Sequence, residues 1–475
     1  MKRCELSRLA VAVLLLAGCT SRTSFVETNE EPVRFARQEL SEWIGKLAEQ
    51  GPDVRIHVGT EYLSLFPEDR DWLGDTDGFA CRRRNGEVYI FAPNPRGCLY
   101  GVYAFLERNS DIIWARPTEP FGTVYSRTRK FEIRDADFRE RPAFSVRGWC
   151  CMDADCTNSI WIARMRCNRG APLPSRSWSS GISLRCGFYV SGCPGHNIPK
   201  FFPDGVLGEH PEYLRWYDGR RIKDEEKYRQ FCFSNLDGAD SAGREAVRQI
   251  RKASADGVPF TTWAVCQSDT QSFCACEKCR GNLKLSDGGV SLAEAENHKS
   301  TLFFNWLNRM MGTIAAEFPD LRVDTYAYQY SALPPDVKIH PNVNISYCPF
   351  IKNDRFPVFS DVNSNWRKRT EEWSRVSSNV VVREYWGCAA GFPRPNSLVA
   401  AKDLQWYLKK GITKVYSEGY SDFTSPDRKK PATARRNETV GWWDASALER
   451  WVLSRLMWDP SVPVERLRDE YCERT

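Results

Sequence analysis

One stretch of the chain combines a lone carboxylate with clustered cysteines. Trp263–Cys266 is apolar, Asp269 follows it, and Cys274, Cys276 and Cys279 come next at C-x-C-x-x-C spacing. A short apolar run of this kind predicts a buried strand. In an α/β barrel, residues that directly follow a strand face the functional end of the barrel. Asp269 is therefore a candidate catalytic residue.

Further carboxylates follow other predicted strands. Glu384 and Glu418 each stand at the end of an apolar run, and Asp354 lies shortly after another. Two facing carboxyl groups can cleave a glycosidic bond, because one protonates the leaving oxygen while the other activates water or attacks the anomeric carbon. The set predicts a glycosidase site. Any single member could instead cap a strand or form a salt bridge.

Polar and aromatic residues near these carboxylates are predicted to contact the substrate. Aromatic rings stack on the C–H faces of sugars, and polar groups bind the hydroxyls. The predicted contacts are His196, Gln267, Tyr328, Tyr330, Arg383, Trp386 and Tyr420.

The elements that must position these residues lie between residues 140 and 425. The apolar runs are Phe144–Trp149, Gly187–Val190, Thr261–Cys266, Val323–Tyr328, Val343–Tyr347, Val380–Tyr385 and Ile412–Ser417. Such strands, alternating with helical segments like Ala239–Ala253, predict a parallel sheet covered on both faces. We expect an α/β fold with a (β/α)8 TIM-type barrel. A doubly wound sheet would usually carry a glycine-rich phosphate loop, which the sequence lacks.

A small α+β domain is predicted over residues 31–135, ahead of the barrel. It comprises helix Pro32–Gln50, strand Val54–Val58, a hairpin at Asn85-Gly86 and helix Gly97–Arg108. Asn-Gly between apolar strands is a strong hairpin signal. We expect this domain to have a structural or positioning role.

Residues 440–475 are predicted to form a helical segment. Ala445–Met457 has its apolar residues on one side, and the sequence stops within what is predicted to be a further helix. No capping glycine or polar tail follows. We therefore expect this segment to be truncated.

The N-terminus predicts export. The apolar segment Leu9–Leu16 follows three basic residues, Lys2, Arg3 and Arg8, as in a signal peptide over residues 1–18. Leu16-Ala17-Gly18-Cys19 matches the lipobox of bacterial lipoproteins, so Cys19 is the predicted lipidation site and residues 19–30 a tether. We expect anchoring in the bacterial cell envelope, at the outer membrane. An ordinary signal peptide with a chance cysteine is the alternative.

The cysteines have two interpretations. Cys232 ends another predicted strand and, with Cys274, Cys276 and Cys279, could form a closed four-thiolate zinc site of structural type. Exported proteins with many cysteines normally form disulfides, and the chain has 18 cysteines. Both interpretations stay open. We expect catalysis to require no cofactor.

Composition argues against a nucleic-acid partner. The 67 basic and 61 acidic residues are mixed along the chain and leave a net charge of only +6. The 17 Trp, 18 Tyr and 25 Phe residues would suit a packed core as well as a sugar-binding site. None of these features predicts an oligomeric state.

A series of motifs resembles a known family. Arg96–Tyr103 (RGCLYGVY) resembles the small α+β domain of α-glucuronidases and β-hexosaminidases. The whole series resembles DUF4838, a family of bacterial lipoproteins and secreted proteins that is similar to the α-glucuronidase barrel. Its other motifs are Arg141–Phe144, His210–Tyr213, Cys232–Asn235, Cys274–Cys279, Ala327–Tyr330 and Leu456–Pro460.

The resemblance implies an α-glucuronidase-like glycoside hydrolase. Asp269 takes the place of that fold's glutamate acid, one methylene shorter, and Glu384 matches one base candidate, with Asp354 as a second. Family members commonly continue into a helical domain. A surface glycan-binding lipoprotein without turnover is the alternative.

Overall fold

The structure is a computed structural model that describes residues 30–117, 122–150, 156–170, 181–203, 205–222, 230–387, 395–419 and 442–475. The predicted lipidation site Cys19 and the predicted sugar contact Tyr420 lie outside these residues. In the ranges described, no helix has both the length and the apolar character needed to cross a bilayer.

The N-terminal part contains a four-stranded sheet of order β2-β4-β3-β8. Strands β3 and β4 are antiparallel, and the turn between them has Asn85 at φ 52° and Gly86 at φ 80°, both positive as a type I′ turn requires. The predicted hairpin is therefore confirmed. The strands of this part are β1 (Ala48–Gln50), β2 (Ile56–Val58), β3 (Phe79–Arg84), β4 (Glu87–Phe91), β5 (Ile113–Trp114), β6 (Thr123–Val124), β7 (Thr128–Lys130) and β8 (Phe138–Glu140).

Two helices, Glu31–Leu47 and Pro95–Asn109, pack against each other beside this sheet. The second begins where the Asn94 side chain accepts a hydrogen bond from the Gly97 N–H at 2.9 Å, an N-cap that satisfies one of the free donors of the first turn. The shorter helices are Thr60–Leu65 and Pro67–Leu73.

The described residues of the rest of the chain are built on a curled parallel sheet of seven strands, in the order β10-β13-β16-β17-β18-β19-β9. Each of the seven predicted runs overlaps or adjoins one of them. The strands of this part are β9 (Trp149–Cys150), β10 (Ser191–Gly192), β11 (Trp216–Tyr217), β12 (Arg220–Arg221), β13 (Thr262–Ala264), β14 (Leu283–Lys284), β15 (Val290–Ser291), β16 (Arg322–Ala327), β17 (Val343–Tyr347), β18 (Val380–Gly387) and β19 (Val415–Gly419).

Helices connect the strands and cover the sheet. In the longest ones the buried residues recur at helical spacing, as with Ala239, Ala242, Ala246 and Ile250. The helices in the described part of this region are Cys156–Arg164, Ile182–Arg185, Ile198–Phe201, Val206–Glu209, Pro211–Tyr213, Leu236–Ala255, Glu277–Arg280, His298–Glu317, Gln329–Ser331, Asp361–Asn363, Ser364–Val376, Ser397–Lys409, Trp442–Trp458 and Val464–Arg474.

Successive side chains of β18 point to opposite faces of the sheet, as the period of two in a strand requires. Glu384 points toward the helices, where Tyr407 of helix Ser397–Lys409 donates a hydrogen bond to it. Arg383 points to the inner face of the curled sheet, where it pairs with Glu418 of β19. We call these two sides the helix face and the inner face.

A short extended segment lies between the two edge strands of the sheet. The Trp149 N–H donates to the Arg169 carbonyl at 2.9 Å, and the Tyr189 N–H donates to the Asn168 carbonyl at 2.9 Å. Gly148 sits at φ 149°, and a Cβ there would lie 1.9 Å from the Arg169 carbonyl oxygen. This close approach therefore requires glycine.

A buried ion cluster joins the small N-terminal sheet region to the large sheet. The Asp77 carboxylate accepts from Arg96 at 2.7 Å, from Arg147 at 3.0 Å and from Asn168 at 2.7 Å. Arg147 is fully buried and Asp77 is 6% exposed. The pairing compensates the cost of burying these charges.

Candidate functional site

An ion pair stands on the inner face near the carboxyl ends of β18 and β19. Arg383 donates to the Glu418 carboxylate, and both side chains are 13% exposed. The Arg383 guanidinium also lies over the ring of Tyr326, 5.0 Å from its centroid. A carboxylate at a strand end is therefore held by a cation that is itself fixed on an aromatic ring.

His196 extends this group toward β10. Its ring lies 5.4 Å from that of Tyr326 and 6.3 Å from that of Tyr328. Its Nδ1 is 2.5 Å from the Gln267 carbonyl oxygen, which orients the ring while leaving the residue exposed. The structure thus brings His196, Tyr328, Arg383 and Glu418 to one face.

Asp269 is exposed and interacts with Tyr328 on the same side. Burial, the negative charge of Asp269 and a hydrogen bond to that carboxylate raise the pKa of Tyr328 to about 12. The phenol therefore stays protonated at neutral pH and can donate to the carboxylate.

An aromatic rim borders these residues. Phe350 is 50% exposed, and its ring lies 5.7 Å from that of Tyr328 and 5.0 Å from that of Tyr385 in edge-to-face arrangements. Exposed rings at the mouth of a polar site suit the C–H faces of sugars. Tyr326, Phe350 and Tyr385 were not among the residues predicted from the sequence. Tyr326 and Tyr385 have a simple signal, since each shares a strand face with a chosen residue two positions away.

Glu384 does not lie in the site where the sequence predicted it. We expected it to face Asp269, but it is 1% exposed on the helix face, with Tyr407 as one partner and the Lys352 Nζ at 3.1 Å as another. Neighbouring residues of one strand cannot share a face, so Arg383 on the inner face excludes Glu384 from it.

Asp354 belongs to the same buried cluster rather than to the inner face. The Lys352 Nζ contacts Asp354 at 2.8 Å and Asp403 at 3.3 Å in addition to Glu384. The Lys352 ammonium group thus forms ion pairs with three carboxylates. Burial raises the pKa of Glu384 to about 7; Lys352 opposes the rise, and Asp403 and Asp354 reinforce it. A proton shared among these acids would reduce their mutual repulsion.

Three other predicted substrate contacts are structural in this arrangement. Gln267 is fully buried, and its amide donates to the carbonyls of Tyr326 and Tyr328, so it braces the end of β16. Trp386 is 4% exposed, and its backbone N–H donates to the Ser417 hydroxyl at 2.9 Å. Tyr330 packs among aromatic rings beside the cysteine cluster.

The four predicted cysteines do come together. The sulfur atoms of Cys232, Cys274, Cys276 and Cys279 all lie within 4.8 Å of one another. None of these four cysteines forms a disulfide in the structure.

The sheet and its helices are similar to solved glycoside hydrolases. A family 89 enzyme from Clostridium perfringens in complex with its substrate GlcNAc-α-1,4-galactose has a TM-score of 0.50 and 10% identity. A family 89 enzyme from Clostridium perfringens in complex with 2-acetamido-1,2-dideoxynojirmycin has a TM-score of 0.50 and 8% identity. Each match covers 93% of this chain and 50% of the other. The chain thus spans half the length of these enzymes, and the likeness shows the fold alone.

A family 138 enzyme targeting the pectin rhamnogalacturonan II has a TM-score of 0.49 and 10% identity, with 91% of this chain and 62% of that chain covered. No curated protein matches the sequence. The family model "Domain of unknown function (DUF4838)" matches residues 118–475, which is most of the chain. The protein therefore belongs to the DUF4838 family, as its motifs indicated.

Proposed function

We propose that this protein is a glycoside hydrolase acting on O-glycosidic bonds, with Asp269 and Glu418 as its catalytic carboxylates. One observation carries the proposal: both carboxylates follow or end parallel strands of the large sheet. Asp269 interacts with Tyr328, whose ring contacts the exposed Phe350, and Glu418 is paired with Arg383 on the inner face. Parallel α/β sheets bind their ligands at this edge. The glycosidase-like fold supports the assignment without specifying a substrate.

The two carboxyl groups differ in surroundings, which suggests different roles. Asp269 is exposed, so the oxygen of a departing sugar can reach it, and we assign it as the general acid. Glu418 is held by Arg383 deeper on the inner face, and we assign it to activate water or attack the anomeric carbon. Glu418 thereby replaces Glu384 as the partner of Asp269.

We further propose that the sheet is the main part of a (β/α)8 barrel. Seven strands are parallel neighbours, and the segment at Asn168–Arg169 bonds to the chain on both sides, near β9 and near β10. That segment would take the place of the remaining strand, and eight positions would close the sheet.

The test is hydrolysis of a panel of aryl glycosides and glycans by wild type and three variants. The panel includes aryl uronides, because the family resemblance predicts α-glucuronidase-like activity, and α-N-acetylglucosaminides, because of the family 89 neighbour. We expect Asp269→Asn and Glu418→Gln to lower kcat by roughly 100-fold to 10,000-fold, the usual loss for a catalytic acid or base.

Glu384→Gln is the matched comparison, since it changes a carboxyl group on the same strand as Arg383 but on the helix face. We expect it to keep most of the wild-type kcat once thermal melting shows that it is folded. Loss in Glu384→Gln with full activity in Glu418→Gln would reverse our assignment of the second carboxylate.

Glycan binding without turnover is the second candidate. The observation that favours it is the ion pair itself, because the positive charge of Arg383 makes the Glu418 carboxylate a weaker base and nucleophile. Calorimetric binding of an oligosaccharide with no product after long incubation would support this alternative. Export and a lipid on Cys19 remain predictions, which mass spectrometry of the mature N-terminus would check.

A further inference from the structure

Four cysteine sulfurs form a compact group behind the segment that carries Asp269. The Cys232 Sγ lies 3.6 Å from that of Cys276 and 3.8 Å from that of Cys279, and all four are within 4.8 Å of one another. They come from two separate places in the chain. Cys232 precedes helix Leu236–Ala255, whereas the other three lie in and beside the short helix Glu277–Arg280.

The spacing of the sulfurs matches a metal site rather than disulfides. A tetrahedral zinc ion with Zn–S bonds of about 2.3 Å places its sulfurs about 3.8 Å apart. A disulfide requires about 2.05 Å between sulfurs. Two disulfides would pull the group into two pairs, whereas here Cys232 is nearly equidistant from Cys276 and Cys279.

Hydrogen-bond donors surround the sulfurs, as a thiolate group requires. The Trp216 backbone N–H lies 3.1 Å from the Cys274 Sγ, and an Arg221 guanidinium nitrogen lies 3.9 Å from it. The Ser234 hydroxyl oxygen accepts from the Cys279 Sγ at 3.2 Å and lies 3.3 Å from the Cys232 Sγ, so with thiolates in place this hydroxyl could donate to one of the two sulfurs. Outer partners of this kind orient metal ligands, and the arginine offsets part of the charge of four thiolates.

We propose that Cys232, Cys274, Cys276 and Cys279 bind one structural zinc ion. Four protein thiolates complete a tetrahedral shell and leave no open position for water or substrate, so the site is not catalytic. Soft thiolate ligands in this geometry favour zinc over magnesium or calcium.

The bound ion would brace one side of the candidate site. The loop from Asp269 to Cys274 is short, so fixing Cys274 limits where Asp269 can go. The Ala275 N–H also donates to the Trp216 carbonyl at 2.8 Å, which ties the same loop to the β11–β12 pair. Zinc binding by these four cysteines does not depend on the proposed hydrolase activity.

The experiment measures metal and thiols in the purified full-length chain. We expect one zinc per chain by elemental analysis, released in step with titration of four thiols by a mercurial. X-ray absorption at the zinc edge should show four sulfur neighbours at about 2.3 Å. These measurements use wild type and do not require activity.

Two variants provide a second, independent test of the proposed zinc site. Cys276→Ser should lose most of the zinc and lower the melting temperature, whereas Cys472→Ser, which changes an exposed cysteine outside the cluster, should keep one zinc per chain. Protein without zinc, protein with iron in its place, or disulfides among these four cysteines in non-reducing peptide maps would overturn the proposal. An unstable Cys276→Ser leaves the decision to the wild-type measurements.

Discussion

At the residue scale, one buried lysine forms ion pairs with three acidic side chains. Lys352 is 7% exposed and contacts Asp354, Glu384 and Asp403. Burial alone would lower the pKa of Lys352, but the three carboxylates raise it. A single positive charge cannot neutralise three negative ones, so we expect one acid in this cluster to be protonated. Glu384 fits that role better than that of a catalytic base.

The raised pKa of Glu384 predicts a pH dependence of stability. Its folded pKa is about 7 against an ordinary value of 4.5. Its contribution to the free energy of unfolding is therefore complete below about pH 4.5 and is lost as the pH rises to about 7, by up to about 3 kcal/mol. We expect the difference between wild type and Glu384→Gln, measured by urea denaturation, to change across this window and to be constant above it.

Asp361→Asn is the control for that measurement, because its side chain is fully exposed beside Arg367. Its stability curve should run parallel to the wild-type curve at every pH. A Glu384→Gln curve that also runs parallel to wild type between pH 4.5 and 7 would contradict the proposed protonation.

At the scale of elements, the junction of β18 and β19 shapes the candidate site. Glu384 pairs with Ser417, but Gly387 pairs with Gly419, so β18 has one extra residue in this interval. Such a bulge bends the strand and changes the direction in which side chains near the end of the sheet point. Gly387 permits it, because a Cβ there would lie 2.6 Å from the Gly419 Cα and 2.7 Å from the Glu418 carbonyl oxygen.

Gly387→Ala should therefore destabilise the sheet by about 1–3 kcal/mol, the usual cost of overpacking a fixed backbone. Gly45→Ala is the matched control, since Gly45 is exposed in a helix and a Cβ there meets nothing within 4 Å. That variant should gain about 0.5–1 kcal/mol. Thermal melting of both proteins tests the prediction. Equal shifts in the same direction would refute the steric argument.

At the scale of the whole molecule, a few buried ion pairs hold the N-terminal sheet region on the large sheet. Asp77 contacts Arg96 near its own sheet and Arg147 beside the large one. Burial by itself would raise the pKa of Asp77, but the two guanidinium groups hold it well below the usual range. Glu107 forms a comparable link, contacting Arg166 and Arg455.

Removing the charge of Asp77 should weaken the contact between the N-terminal sheet region and the large sheet. We expect Asp77→Asn to lower the free energy of unfolding by about 3–5 kcal/mol, because two arginines lose their buried partner. In wild type the same contribution is present above about pH 4 and is lost as the pH falls below the unfolded pKa of the acid. Urea denaturation at several pH values measures both effects.

Asp53→Asn provides the comparison, since Asp53 is 79% exposed in a surface pair with Lys130. A change of no more than about 1 kcal/mol is expected there. Similar losses in Asp77→Asn and Asp53→Asn would show that burial does not strengthen the Asp77 cluster as proposed.

Several elements and the family were predictable from local features of the sequence. Apolar runs predicted the parallel strands, Asn85-Gly86 predicted its hairpin, and the motif series indicated DUF4838. These features are local, so a short window of residues contains the physical reason for each. The four cysteines could also be grouped in advance, because three share one motif and the fourth ends a predicted strand.

Which carboxylates share a face could not be predicted in this way, because it depends on long-range packing. Alternation along β18 requires Arg383 and Glu384 to point in opposite directions, but the direction depends on what packs against the strand. Lys352 and Tyr407 draw Glu384 to the helix face, while Glu418 and Tyr326 hold Arg383 on the inner face. These partners lie between about 20 and 60 residues away in the sequence. Side chains so distant meet only when the strands pair and the helices pack on the sheet, and no local pattern contains that information.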